Sequence, residues 1–181
     1  MNILGISGSL RTASWNTLLI ETTFALLPGN VHRARASLAD LPLFSEDLEK
    51  DPPESVRRLK EQVHAADGLI VSTPEYNLGM PGVLKNAFDW LSRPPAEQLP
   101  RLRGKPVLLM GATPGSFGTM SAQSGCVQMF RALQMPLCPG LLAIPLVHES
   151  FRDGELRNDS LRIRLQTQVD RYLGMIADSE E

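Results

Sequence analysis

The residues able to do chemistry in this chain fall into three stretches rich in glycine, proline and hydroxyl side chains. The first is Gly5-Ile6-Ser7-Gly8-Ser9-Leu10-Arg11-Thr12-Ala13-Ser14-Trp15-Asn16-Thr17, between a short apolar run and an amphipathic segment. Small residues let backbone N–H groups close on an anion, and a helix start adds unpaired donors and the positive end of the dipole. Ser9, Ser14 and Thr17 bring hydroxyls, Asn16 an amide and Arg11 a planar cationic fork. That donor set suits a phosphate monoester. An ordinary serine-capped turn with Arg11 in solvent has the same composition.

The second stretch is Thr73-Pro74-Glu75-Tyr76-Asn77-Leu78-Gly79-Met80-Pro81-Gly82. Its prolines and glycines bend a backbone that can offer amides to a flat heterocycle, with Tyr76, Leu78 and Met80 as apolar walls. A redox heterocycle needs such donors where charge grows on reduction. Glu75 and Tyr76 are equally what a solvated acid and a packing aromatic would look like. Lys85 and Asp89, four apart on the following segment, read as a surface pair. The third stretch runs from Gly111 to Thr119, and its Gly115, Ser116 and Phe117 could close over a ligand or simply connect two elements.

Other chemistries fit worse. Gly5 and Gly8 stand three apart, so G-x-G-x-x-G is absent, and Gly104-Lys105 precedes a proline without the earlier glycine of a P-loop. Ser7 and Ser9 lie outside any G-x-S-x-G elbow. His32, His64 and His148 sit in separate segments, which argues against a metal site. A phosphoacceptor acid would be wanted at the end of the third strand, where Thr73-Pro74 stands instead.

The elements that must carry these stretches alternate short apolar runs with longer amphipathic ones, the pattern of a parallel sheet wrapped by helices. Strands are expected at 2–6, 31–37, 69–73, 106–111 and 141–147, and helices at 16–27, 54–66, 82–91, 120–133 and 160–176. Residues 41–53, rich in proline and acid, read as a loop with freedom to move, and 94–104 as a connector. The expected fold is a single α/β domain over 1–181, a doubly wound five-stranded parallel sheet in the order 2-1-3-4-5, with a frayed tail after about residue 176. Ligands of such sheets sit beyond the strand carboxyl ends, where all three stretches fall.

With 181 residues, 43% of them hydrophobic, the chain can bury one sizeable core. A net charge of −2 gives no basic footprint for nucleic acid. No apolar run reaches membrane-spanning length, and Met-Asn-Ile-Leu-Gly-Ile enters the first turn without the features of an export signal, so a cytoplasmic location is expected. Cys126 and Cys138 are too far apart for C-x-x-C and read as buried thiols, a single bridge being the alternative.

Taken together, the stretches resemble the NADPH-dependent FMN reductase family, the flavodoxin-like group that includes bacterial chromate and quinone reductases. Gly8-Ser9-Leu10-Arg11, Ser14 and Asn16 are similar to its phosphate loop. Thr73-Pro74-Glu75-Tyr76-Asn77, with Pro81-Gly82-Val83-Leu84-Lys85-Asn86-Ala87 and Asp89-Trp90, is similar to its ring loop and following helix. The resemblance implies noncovalent FMN and hydride from NADPH or NADH. Electrons would pass in ping-pong order to quinones, free flavin, azo or nitro compounds, or metal oxyanions such as chromate. It implies FMN phosphate binding by Ser9, Arg11, Ser14, Asn16 and Thr17, with Trp15 in the same turn. Pro74, Glu75, Tyr76 and Asn77 would border the isoalloxazine, and Gly115, Ser116 and Phe117 are looser matches. No catalytic side chain is expected, because the flavin does the chemistry. A homodimer or homotetramer is implied, with the helix carrying Phe88 and Trp90 at the interface or, alternatively, those aromatics in the core. A flavodoxin-type electron carrier and a nucleotide- or sugar-phosphate-binding regulator are the rival readings.

Overall fold

The computed structural model describes residues 1–93 and 102–178. In chain order it runs β1 (Asn2–Ser7), α1 (Trp15–Leu26), β2 (His32–Ala36), a 3-10 turn (Glu46–Leu48), α2 (Glu54–Ala65), β3 (Gly68–Ser72) and α3 (Gly82–Leu91). It continues through β4 (Val107–Ala112), α4 (Met120–Ala132), β5 (Leu142–Ile144), α5 (Val147–Ser150), β6 (Phe151–Arg152), β7 (Glu155–Leu156) and α6 (Asp159–Asp178). The main sheet is parallel in the order β2-β1-β3-β4-β5, as expected.

Continuous apolar runs explain the central strands, since β3 and β4 are buried at every position. Their side chains alternate between two cores. Ile3, Ile70, Leu108 and Met110 meet Leu19, Ile20 and Phe24 of α1 and Leu165, Val169 and Tyr172 of α6. Leu4, Ile6, Leu69, Val71 and Leu109 meet α2, α3 and α4 on the other face. Strand β2, His-Arg-Ala-Arg-Ala, is exposed along most of its length and closes one edge with charge.

Three expectations need correction. The fifth strand stops at Ile144, because Pro145 follows and Leu146 turns left-handed at φ 45°. Beyond it lie α5 and the β6–β7 hairpin, whose Asp153-Gly154 turn has φ of 53° and 78°. An Asp-Gly pair is a hairpin signal, but two-residue strands carry too little alternation to announce themselves. Residues 41–49 do not move freely: Trp90 Nε1 and Asn86 Nδ2 both donate to Pro42 O at 2.9 Å, and Phe44 N donates to Asn86 Oδ1 at 2.8 Å. Phe88 and Trp90 are fully buried within the one chain, so they are core and not an intersubunit face.

Cys126 and Cys138 are buried and unpaired, which removes the bridge alternative. Burial pushes the Cys126 thiol up to about 12, and burial also raises that of Cys138. Lys85 Nζ meets Asp89 Oδ1 at 2.5 Å on the exposed side of α3, as a surface pair should. Of the expected 94–104 connector, 94–101 lies outside the described residues, as does the tail beyond Asp178.

Candidate functional site

The loops after β1, β3 and β4 converge on a cleft of about 300 Å³ at the carboxyl end of the sheet. It lies where strand order reverses between β1 and β3. Ser9, Arg11, Ser14, Trp15, Asn16, Pro74, Glu75 and Tyr76 all line it, joined by Ala112, Thr113 and Pro114.

The first loop is built by its own hydroxyls. Ser14 caps α1, its Oγ accepting from Asn16 N at 3.2 Å and Thr17 N at 3.3 Å. Ser7 Oγ accepts from Ser9 N at 3.3 Å and from Thr17 Oγ1 at 3.0 Å, and Ser9 Oγ from Arg11 N at 3.4 Å. With lone pairs of Ser9 and Ser14 turned to these amides, their hydroxyl protons are left to donate. Arg11 is exposed and folds back over the turn, Nη2 donating to Ala13 O at 2.5 Å. Gly8 N donates to Ser72 O at 2.8 Å and ties the turn to β3.

Asn16 lines the cleft but has a bracing role. Its Nδ2 donates to Ala112 O at 3.0 Å. Its Oδ1 accepts from Ala112 N at 3.0 Å and from Ser72 Oγ at 2.8 Å. One buried amide thus fastens the start of α1 to the ends of β3 and β4.

In the second loop Tyr76 and Gly79 exchange backbone hydrogen bonds of 3.0 Å each around Asn77 and Leu78, which sit at φ 50° and 62°. This is a two-residue hairpin turn of the I′ kind. Asn77 at its tip lies off the cleft wall. Helix α4 begins after a left-handed Thr119 that supplies no side-chain cap. Glu75 does so from the neighbouring loop, Oε2 accepting from Ala122 N at 3.0 Å. The helix dipole offsets the carboxylate there.

The third loop enters the cleft through Thr113 and Pro114, while Gly115, Ser116 and Phe117 are exposed and do not line it. Thr17 faces a second cavity, of about 270 Å³, that adjoins the cleft at Ser9 and Arg11 and also holds Arg35. Sequence reasoning missed Ala112 to Pro114 and Arg35. Ala112 ends β4, Thr113 and Pro114 follow it, and Arg35 is the last residue but one of β2, and that position near the strand carboxyl ends was the available signal. Among the described residues, no group of histidine, cysteine or carboxylate side chains could hold a metal ion.

One end of the cleft therefore offers an arginine, serine hydroxyls and a helix start without a carboxylate, and the other offers proline and aromatic walls beside a capped acid. A phosphate monoester joined to a flat heterocycle fits this arrangement, which defines a flavodoxin-like mononucleotide-binding protein. Residues 1–149 match the family described as NADPH-dependent FMN reductase. An NAD(P)H-dependent FMN reductase of Pseudomonas aeruginosa is 39% identical over 93% of this chain and 91% of its own length. A 2-hydroxy-1,4-benzoquinone reductase of a Burkholderia species is 36% identical, covering 98% and 97%. Among solved structures, the flavoenzyme NAD(P)H:(acceptor) oxidoreductase FerB of Paracoccus denitrificans superposes with a TM-score of 0.89 at 31% identity, covering 98% of each chain.

The chain belongs to the NADPH-dependent FMN reductase family. It is an oxidoreductase whose cofactor is FMN and whose electron donor is NAD(P)H.

Proposed function

We propose that this protein oxidises NADPH or NADH and delivers the electrons to quinones, in ping-pong order, donor and acceptor using the one open cleft in turn. The observation that carries this reading is the meeting of the phosphate turn, the ring loop and the β4 end in a single cleft open to solvent. The names of the Burkholderia relative and of a Pseudomonas putida quinone reductase, 32% identical over 94% of this chain, support the acceptor class. Free flavin, azo and nitro compounds and chromate form the wider acceptor panel.

When bound, FMN supplies the hydride and electron chemistry. The chain supplies the rest. Ser9, Ser14 and Arg11 hold the phosphate, with Thr17 and the first amides of α1 behind them. Asn16 fixes the spacing between that turn and the strand ends. Amides of the 74–77 bend meet the ring edge, and Trp15, Pro74 and Tyr76 exclude water from its neighbourhood. No side chain acts as acid, base or nucleophile.

Tyr76, Leu78, Phe117 and Met120 are exposed large apolar side chains on the second and third loops and the start of α4. We infer that a second copy of the chain covers them, giving a homodimer or homotetramer. We infer also a cytoplasmic location, where Cys126 and Cys138 stay unpaired. Among the described residues no helix is long and apolar enough to cross a membrane.

The test is oxidation of NADPH and of NADH with a benzoquinone, with and without added FMN. FMN-dependent turnover is expected. FMN-loaded protein that neither pyridine nucleotide reduces would instead favour the electron carrier, whose fold an archaeal flavodoxin shares at a TM-score of 0.62 and 14% identity.

A further inference from the structure

The second cavity shares Ser9, Arg11 and Thr17 with the turn proposed above to hold the FMN phosphate, but it extends past them to Thr12, Arg35 and Ser37, and its chemistry is that of an anion site. It is lined by Arg11 and Arg35 and by the hydroxyls of Ser9, Thr12, Thr17 and Ser37, and no carboxylate is among its lining residues. Asp40, the next residue beyond the lining, has both carboxylate oxygens 2.8 Å from Arg58 Nη2. Arg35 pairs with Gly5 in the β1–β2 register, which puts it at the carboxyl end of the sheet beside the phosphate turn. Its guanidinium meets Glu21 through Nε, at 3.1 Å on the surface, and its Nη groups make no other hydrogen bond among the described residues. The other arginine of β2 differs, because Arg33 Nη1 donates to Phe24 O.

The cavity and the main cleft share Ser9 and Arg11. A long ligand seated in the cleft can therefore reach over the turn and place a second phosphate between the two arginines. We infer that this cavity binds the 2′-phosphate of NADPH and makes Arg35 the residue that prefers NADPH over NADH. The two donors differ only in that phosphate monoester, and a guanidinium fork is the side chain best matched to one. Arg35 is half-exposed, so solvent screening limits the preference to about tenfold. This assignment rests on the main cleft holding FMN and receiving the nicotinamide.

The experiment compares wild type with Arg35→Ala, Arg35→Lys and Arg152→Ala. The last is a control in the separate basic pocket beside His148 and Arg157. Two readouts are taken: KM for NADPH and NADH, and calorimetric binding of adenosine 2′,5′-bisphosphate. Arg35→Ala should raise the NADPH KM about tenfold, leave the NADH KM, kcat and FMN affinity unchanged, and weaken bisphosphate binding by about the same factor. Arg35→Lys should fall between, and Arg152→Ala should match wild type. Equal shifts for both donors, no shift, or the same loss in Arg152→Ala would overturn the assignment. Weaker FMN binding in Arg35→Ala would also overturn it, by giving the cavity to the FMN phosphate. If wild type bound no FMN, the reading of the cleft would fall, while the bisphosphate arm would still decide what the cavity holds.

Discussion

Residues 41–53 and the two loops at 74–81 and 113–119 all connect a strand to a helix, the first rich in proline and acid and the other two in glycine and proline. In the structure they behave oppositely. The first segment satisfies itself: Pro42 and Phe44 are held by Trp90 and Asn86, Phe44 packs edge-on against Trp90 with ring centroids 5.0 Å apart, and Arg93 reaches Glu49 at 2.7 Å and Glu46 at 2.5 Å. Those carboxylates hold the Arg93 guanidinium above its ordinary value, its hydrogen bond to Glu49 first among them. The other loops leave much unsatisfied. Leu78 is left-handed with 77% of its surface exposed, Phe117 is 80% exposed, and Thr119 enters α4 left-handed. Left-handed backbone and exposed large apolar side chains are gathered on these two loops and not on 41–53, apart from Leu43 and Leu48.

The sharpest way to break this contrast is Trp90→Ala. It empties a fully buried site and frees Pro42, and should cost about 3–5 kcal/mol in denaturant unfolding. A loss below about 1 kcal/mol would mean that the 41–49 segment is not pinned. Gly111→Ala attacks the site side. Its Cβ would stand 2.0 Å from Thr119 Oγ1 and 2.5 Å from Thr73 O, so the second and third loops must part. Overpacking should cost about 1–3 kcal/mol, together with weaker FMN binding. Unchanged FMN affinity would show that the spacing of those loops is irrelevant to the cofactor.

Glu75→Ala should cost about 0.5–2 kcal/mol, the usual worth of a cap, with faster amide exchange confined to the first turn of α4. Glu75→Gln keeps an acceptor and should lose less. If both variants exchange like wild type, the link between ring loop and helix carries no energy. The smallest effect is opposite in sign. Leu78→Gly relieves a left-handed leucine and should stabilise the chain by a net of about 0.5–1 kcal/mol, after the entropy of the glycine is set against the strain. It should also weaken self-association, read by light scattering. Added stability with assembly unchanged would make Leu78 ordinary surface.

These same contrasts mark how far the residues alone could be read. Sheet order was legible, because apolar strands are local patterns with few alternative outcomes, while the serine-capped turn stood only as the rival to a phosphate turn, and Ser14 does cap α1. The clustering of Ser9, Arg11 and Ser14 with Pro74, Glu75 and Tyr76 followed from the strand order. Glu75 as the cap of α4 was not legible, since its partner amide lies 47 residues away and leaves no spacing to notice. Nor was the burial of Trp90, whose indole reads alike as core or interface until Pro42 is seen to accept its N–H. Gly115 to Phe117 were nominated from the looser part of the family resemblance, yet the chain meets the cleft three residues sooner, at Ala112, the last residue of β4.

The most direct measurement is a crystal structure of the protein with FMN. The account predicts the phosphate within hydrogen-bond distance of Ser9, Ser14 and Arg11, and the isoalloxazine against Pro74 and Tyr76. A phosphate lodged beside Arg35, or a ring lying away from the 74–77 bend, would contradict it.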